Sequence, residues 1–513
     1  PNAASYGANA FTGMINIITR HPDDVAGRML SLSVGDHDHR EAWFRWAGRT
    51  EKSSHRLTLG ERRDGGLPYQ PDDETSHIVS YRGEFELAPQ ETLSLQFGSL
   101  LGDRGAGTFG SMDNSPHEQA VNSGHFQADY ELGLATGSHL QAKFSFNTLK
   151  TSEDNPTLLV PGSYYETDLL AQRWHAEVQL NSLLAPSLRS AVGGYLRRDS
   201  VRSLLFWNRP DKLIADSHGL FGHLEWRLAD AWLVNAGAFW ERHDLAKEGF
   251  SPRATLHWQP SLRHAFRLGI SKAYRNPVLF ETSADERIRL LAADGSLIMA
   301  LPPLIQTTGD VEPERIISRE IAYLGQWPEQ DITLDVRLFR ENVSNYIDLR
   351  CPTGIVSDCK PSAHPLLDYK ARDWVNTGST RQQGYELQAK WNPEPENLLM
   401  FNHAYLSIDS NLDDKQYSPE HISGLHLMHR LPGGVEMMLS QYWVSSFKAI
   451  GQGQIPSYKR LDASFSKSLR FNGQHGRISL SFLNLSGPYL EFDNDIPVNR
   501  FDQRTRLDSQ IDF

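Results

Sequence analysis

Apolar and polar residues alternate along this chain. Between Arg504 and Phe513, Leu507, Ile511 and Phe513 share one face with Ser509 among them, and Arg506, Asp508, Gln510 and Asp512 share the other. A period of two with charge on one face predicts a β-strand lying between an apolar medium and a wet one. The pattern recurs. Leu461, Ala463, Phe465 and Leu469 alternate with Asp462, Ser464, Ser466 and Ser468, and Tyr385, Leu387, Ala389 and Trp391 alternate with Glu386, Gln388 and Lys390. Phe126, Ala128, Tyr130, Leu132 and Leu134 alternate with Gln127, Asp129 and Glu131. One such run equally suits a half-buried strand of a soluble sandwich. Repetition along the whole chain weighs against that reading.

The connections sort into two kinds. Tight turns are predicted at Leu87–Glu91, Ala135–Ser138, Ala185–Ser187, Ala229–Ala231, Pro260–Leu262, Trp327–Gln330, Asn392–Asn397 and Pro432–Gly434. Longer connections are predicted at Gly102–Ser123, Thr151–Thr167, Asp199–Ser217, Tyr274–Arg315, Asn342–Asp373 and Ser486–Arg500, in strict alternation with the turns. Short turns on one side and long loops on the other mark an outer-membrane barrel. Counting from Arg28 to Phe513 gives about 22 strands, an even number that leaves both ends on the short-turn, periplasmic side. A barrel of that size has a lumen wide enough to need a plug. Trp43, Trp46, Trp226, Trp232, Trp258, Trp391 and Trp443 fall near strand ends, where interfacial aromatic girdles are expected.

Composition narrows the classes. A chain of 513 residues is ordinarily two or three soluble domains, but no linker divides it, and one all-β body fits better. Mean hydropathy is −0.47, and no apolar run approaches the roughly 18 residues of a membrane helix. A transmembrane barrel also looks hydrophilic on average. The net charge of −12 argues against nucleic acid as a partner. No initiator Met or signal peptide is present, so Pro1 reads as an internal position. Phosphate loops, His-Glu-x-x-His helices and nucleophile elbows are lacking. His37-Asp38-His39 is the densest histidine cluster and reads as a solvated external turn rather than a metal site, which needs about four ligands. No enzymatic activity, metal or cofactor is therefore expected.

The opening segment, Tyr6-Gly7-Ala8-Asn9-Ala10-Phe11-Thr12-Gly13-Met14-Ile15-Asn16-Ile17-Ile18-Thr19-Arg20, resembles the end of the plug domain in TonB-dependent receptors, with an Ile-Asn-Ile strand closing on Thr and a basic residue. Phe250-Ser251-Pro252-Arg253, with Leu256 and Trp258, resembles a barrel strand of that family. Ser271-Lys272-Ala273-Tyr274-Arg275-Asn276-Pro277-Val278-Leu279-Phe280-Glu281 resembles its Ser-x-Ala-(aromatic)-Arg-x-Pro segment, which opens a long external loop. Val311-Glu312-Pro313-Glu314-Arg315 with Glu320 resembles the returning strand. Val375-Asn376-Thr377-Gly378, leading to Gly384-Tyr385-Glu386-Leu387, resembles a further one, and Phe513 resembles the terminal aromatic presented to the barrel-assembly machinery.

The resemblance implies an all-β fold: a transmembrane antiparallel barrel over residues 25–513, preceded by the C-terminal end of a plug over residues 1–24. The TonB-contacting segment and the rest of the plug would precede Pro1. It further implies a multi-pass protein of a Gram-negative outer membrane that imports a scarce ligand when the inner-membrane TonB complex pulls on the plug. A ferric siderophore is the expected cargo. Cobalamin, haem or a carbohydrate is the alternative within the family, and a passive channel the alternative outside it. The external loops pair cations with rings (Arg104 and Phe109, Tyr164 and Tyr165, Trp207 and Arg209, Tyr274 and Arg275), which suits an anionic ring-bearing ligand. Taken singly, each of these residues fits the lipid interface or lipopolysaccharide phosphates better. The stretch from Tyr274 to Arg315 holds no His, which lowers haem. Cys351 and Cys359 are expected to form a disulfide in the external loop Asn342–Asp373.

Overall fold

The computed structural model describes residues 13–68, 70–111, 114–134, 137–158, 160–360, 368–410, 417–448, 453–490 and 500–513. Tyr6 to Thr12 of the opening segment therefore lie outside the described residues, as do Ala135 and Thr136 of the turn expected at Ala135–Ser138.

Alternation becomes architecture directly. Each strand hydrogen-bonds its sequence neighbours in antiparallel fashion, and 22 of them close into one barrel. They run from nine residues, as in Gly27–Gly35, to nineteen, as in His139–Thr157. Gly27–Gly35 pairs on one side with Arg40–Arg49. On its other side it pairs with the last strand, Arg504–Asp512, from Met29 opposite Asp512 to Gly35 opposite Arg506. Closure leaves no open edge, which hydrocarbon does not tolerate.

The two faces of the wall differ as the sequence requires. Leu30, Leu32 and Val34 point outward and are 40–53% exposed, while Ser31 and Ser33 point into the lumen. So large an exposed apolar surface marks a medium other than water. Near the end that carries the termini, Trp232, Trp258, Phe266 and Tyr323 form an outward row of stacked or tilted rings on consecutive strands, with centroids 5.8, 5.2 and 4.9 Å apart. Trp46, Trp226, Trp391 and Trp443 share the outward register. Trp43 does not. It lies one residue out of phase with Trp46, faces the lumen, and donates from Nε1 to Glu41 Oε2 at 3.1 Å. Its ring lies against Gly60, where a Cβ would fall 2.2 Å from the indole.

At the terminal end the connections are tight. Asn472-Gly473 joins two strands with φ of 49° and 81°, both in the left-handed region that a two-residue hairpin demands. The opposite end carries long connections, including 107–116, 158–168, 203–212, 276–313 and 351–372. Strict alternation of short and long is corrected at two places, because this end also holds the tight turns 36–39 and 244–245. In the first, His37 and Asp38 both have positive φ. The strands also extend into stretches expected as loop. Glu91–Ala106 and His117–Gly133 leave only 107–116 between them, since their pairing continues past the apolar band, from Glu91 opposite Leu132 to Ala106 opposite His117.

The loops form a small layer of their own. Ser163–Glu166 pairs with the end of His139–Thr157, and Arg289–Leu291 joins it through Leu291 opposite Tyr164 and continues to Leu297–Ala300. At the same end, Trp207, Ala215 and Leu279 form a buried cluster ringed by Phe206, Leu213 and Phe280.

Candidate functional site at the lumen and the loop end

Inward positions carry the charge. Arg82 pairs with Glu84 at 2.6 Å and Arg45 with Asp512 at 3.3 Å on one part of the wall. Elsewhere Arg267 and Arg337 share Glu320 at 3.1 and 2.9 Å, and Arg337 also reaches Glu386 at 3.1 Å. The chain from Gly13 to His21 lies inside this ring. At one end Gly13 lines a cavity with Arg253, Arg267 and Arg337. At the other, Arg82 Nη1 donates to the Thr19 carbonyl at 3.0 Å and to its Oγ1 at 2.9 Å, and Arg56 Nη1 donates to the Arg20 carbonyl at 2.5 Å. The segment thus spans the lumen between two arginine-bearing walls. It forms no strand. The expected Ile-Asn-Ile strand is corrected: among the described residues no ladder partner lies beside it, and Ile15 and Ile17 are 90% and 83% exposed.

At the loop end a cleft of 460 Å³ is lined by Arg173, Arg197, Asp199, Trp207, His243 and Phe280, among others. Arg173 Nε lies 2.6 Å and Arg197 Nε 3.1 Å from the two oxygens of Asp199. Two cations on one carboxylate leave a net positive charge. Trp207 and Phe280 contribute ring surface, edge to face at 6.3 Å.

The residues singled out from sequence scatter around this cleft rather than converge in it. Trp207 lines it but is 7% exposed and belongs to the buried cluster. Arg209 is held by Asp211 two residues on, which keeps that carboxyl below its usual range. Arg104 faces the lumen rim and donates from Nε to Gln119 Oε1 at 2.7 Å. Gln119 in turn reaches Glu153, as does His117 at 2.9 Å. Phe109 is 59% exposed at a loop tip. Tyr164 and Tyr165 sit in the loop sheet, opposite Pro156 and Asn155. Tyr274 follows Phe266, Leu268 and Ile270 on the outward register, with Lys272 Nζ 4.6 Å from its ring centroid. It belongs to the interface, not the lumen.

Arg275 has a different task from the one its charge advertised. Its Nε and Nη2 donate to the two oxygens of Glu314 at 2.7 and 2.8 Å, and its Nη1 donates to both oxygens of Glu281 at 3.0 and 3.1 Å. Glu281 also accepts from the Val278 amide and Glu314 from the Ile347 amide. The next residue, Asn276, is 4% exposed and donates to buried Glu241 at 3.2 Å. Arg275 therefore clasps both ends of the 276–313 loop. Its carboxylate partners were visible in the Glu-Pro-Glu and Leu-Phe-Glu motifs, but only the fold brings them together. The lumen arginines were also missed, although their inward parity on alternating strands was available.

Cys351 and Cys359 are bonded in the 351–372 loop, with sulfurs 2.07 Å apart. His39 turns inward, 8% exposed, to Asp64 at 3.1 Å, so only part of the His37-Asp38-His39 turn is solvated. No group of metal-ligating side chains occurs among the described residues.

A family model described as TonB dependent receptor-like, beta-barrel matches residues 43–485. No curated protein matches the chain in sequence. Among solved structures, a mutant of the ferric enterobactin receptor PfeA of Pseudomonas aeruginosa superposes with a TM-score of 0.80 at 15% identity, over 100% of this chain and 84% of that one. The ferric-catecholate import receptor Fiu of E. coli K12 superposes at 0.74 with 13% identity, over 100% and 85%. The FrpB iron transporter of Neisseria meningitidis gives 0.75 with 12% identity, over 99% and 86%. At such identities these likenesses establish the fold, and the family match establishes descent: the chain belongs to the TonB-dependent receptor family.

Proposed function

We propose that this protein imports a ferric siderophore across a Gram-negative outer membrane, as a multi-pass barrel energised by the inner-membrane TonB complex. The observation that carries the reading is the segment 13–21 inside a closed barrel, fixed through carbonyl oxygens to Arg56 and Arg82. Its position supports reading residues 1–24 as the C-terminal end of a plug and 25–513 as the barrel. Polar anchors suit a plug element that must be displaced: each charge-assisted hydrogen bond contributes about 1.5–3 kcal/mol. The solved structures that share the fold support the cargo, since their names carry ferric enterobactin, ferric catecholates and iron.

Import of this kind breaks no covalent bond. Capture falls to the loop end, where the cleft beside Trp207 and Phe280 has two arginines on one carboxylate. An anionic, ring-bearing chelate meets both needs there, charge through Arg173 and Arg197 and stacking through the half-buried ring of Phe280. Arg104, Phe109, Tyr164, Tyr165, Arg209 and Arg275 surround the mouth and shape it rather than share one pocket, while Tyr274 stays on the outward face. Lipid and lipopolysaccharide would contact the outward face, and Phe513 would serve the assembly machinery. Fluorescence titration of the purified protein with a panel of ferric chelates tests the reading. Quenching by an anionic chelate that weakens about tenfold in Arg173→Ala supports it. Quenching by cobalamin or an oligosaccharide alone would overturn it.

A further inference from the structure

On the outward face, Arg319 and Arg340 stand directly opposite each other on adjacent strands, Glu314–Trp327 and Ile332–Arg350. Directly opposed side chains have Cβ atoms about 5 Å apart, and like charges so placed destabilise a sheet. Both side chains are exposed, and neither has a hydrogen-bond or ion-pair partner among the described residues.

The same barrel shows how it treats such a pair elsewhere. Arg40 and Arg63 are also directly opposed on the outward face. There Asp38 reaches between them, with Oδ1 2.7 Å from Arg40 and Oδ2 2.8 Å from Arg63. Among the described residues Arg319 and Arg340 have no counterpart of Asp38.

Position identifies what replaces it. Along these strands the outward rows read Phe266, Tyr323, Val336 and Leu387, then Leu268, Ile321, Leu338 and Tyr385, and then Ile270, Arg319, Arg340 and Gln383. The arginine pair therefore begins where the apolar band ends, toward the loops. The next rows, each about 7 Å farther on, add Lys272, Arg381 and Arg315. Of these, Arg381 is the one with a carboxylate in reach, Asp409 at 3.9 Å. Lys272 lies over Tyr274, and Arg315 donates to Ser344.

We infer that Arg319 and Arg340, supported by Lys272, Arg315 and Arg381, form a binding site for the phosphate groups of an anionic lipid in the outer leaflet. Its acyl chains would lie along Leu268, Ile321 and Leu338. Guanidinium pairs match phosphate oxygens bidentately. The bound anion does for this pair what Asp38 does for Arg40 and Arg63. The inference rests on the outer-membrane placement proposed above, but not on the identity of the cargo.

Native mass spectrometry of the purified barrel with added lipid A tests it. The wild type should retain the phosphorylated lipid, and R319Q/R340Q should retain about tenfold less. Enzymatically dephosphorylated lipid A should bind both proteins equally weakly. Thermal unfolding in lipid-free detergent gives a second readout: the double variant should be at least as heat-resistant as the wild type, because it loses the repulsion, and lipid A should raise the midpoint of the wild type only. If the double variant does not fold, R340Q alone should show the same loss. Equal retention by wild type and variant, or equal protection by inorganic phosphate alone, would overturn the site. Neither result would touch the uptake assignment, which ferric-chelate transport in cells reads separately.

Discussion

The amide of Arg28 donates to the carbonyl of Phe513 at 2.8 Å, and the amide of Phe513 donates back to the carbonyl of Arg28 at 2.8 Å. The last residue thus completes the seam that closes the barrel, while its side chain, 48% exposed, stays on the outward side with Ile511 and Leu507. Gly27 fits at this junction with φ of 105°, and a Cβ there would fall 3.3 Å from the Phe513 carbonyl.

Deleting Phe513 removes both hydrogen bonds and the terminal aromatic. Each bond contributes about 1 kcal/mol net, a small loss to a finished barrel but a large one to a seam that must form last. Membrane yield, read by heat-modifiable mobility in outer-membrane fractions, should fall severalfold, while the melting point of the assembled fraction shifts little. Normal yield would remove the assembly role.

Arg275→Ala should loosen the 276–313 loop without opening the barrel. It leaves Glu281 and Glu314, with side chains 9% and 5% exposed, as unpaired carboxylates. Breaking such a pair from one side costs about 3–5 kcal/mol, reduced here because Arg275 itself is 27% exposed. Limited proteolysis should cut this loop faster in the variant. Conversion of Glu281 and Glu314 to Gln in the same background should restore part of the protection, which a direct ligand-binding role for Arg275 would not produce.

Glu286 lies in this loop, in the short strand Asp285–Glu286 opposite Ile305–Gln306. Burial pushes its carboxyl above the usual value, partly offset by Arg372. A raised folded-state value means that the folded loop binds the proton more tightly than the unfolded loop. Its contribution is complete below 4.5, the ordinary value of a glutamate carboxyl in the unfolded chain, and is lost as pH rises through the raised value. Hydrogen exchange at 284–306 should therefore speed up as pH rises from 4 to 7, after correction for intrinsic exchange. Glu286→Gln should flatten that dependence.

The Cys351–Cys359 bond closes a separation of 8 residues in an external loop. It should hold that loop by about 2–3 kcal/mol and leave the barrel alone. Reductant should increase nicking within 351–372 while the heat-modified mobility stays unchanged. Efficient thiol labelling of both residues on untreated cells would contradict the bond.

What the sequence disclosed follows from period. A strand with one face in lipid and one in water repeats every two residues, so the wall, its closure and the sorting of turns could be counted from runs such as Leu507 to Phe513. Parity errors fall where one residue decides. Trp43 looked like a girdle residue beside Trp46, yet adjacent residues face opposite sides. The loop end was harder to read. Arg275 reads as a free cation until the fold brings Glu281 and Glu314 to it, and Trp207 reads as a surface ring until Phe280 and Leu279 bury it. These contacts join loops far apart in the chain, and no local pattern encodes them. The Ile15–Ile17 segment failed for a related reason: among the described residues no ladder partner lies beside it, and strand propensity alone makes no strand.

The central claim is the import of a ferric siderophore. Uptake of radiolabelled iron should be measured in a strain relying on the full-length receptor, with a panel of ferric catecholate, hydroxamate and carboxylate chelates, with and without functional TonB. The account predicts saturable uptake of at least one anionic chelate that disappears without TonB. Uptake of none of them, with TonB-dependent uptake of cobalamin or an oligosaccharide instead, would contradict it.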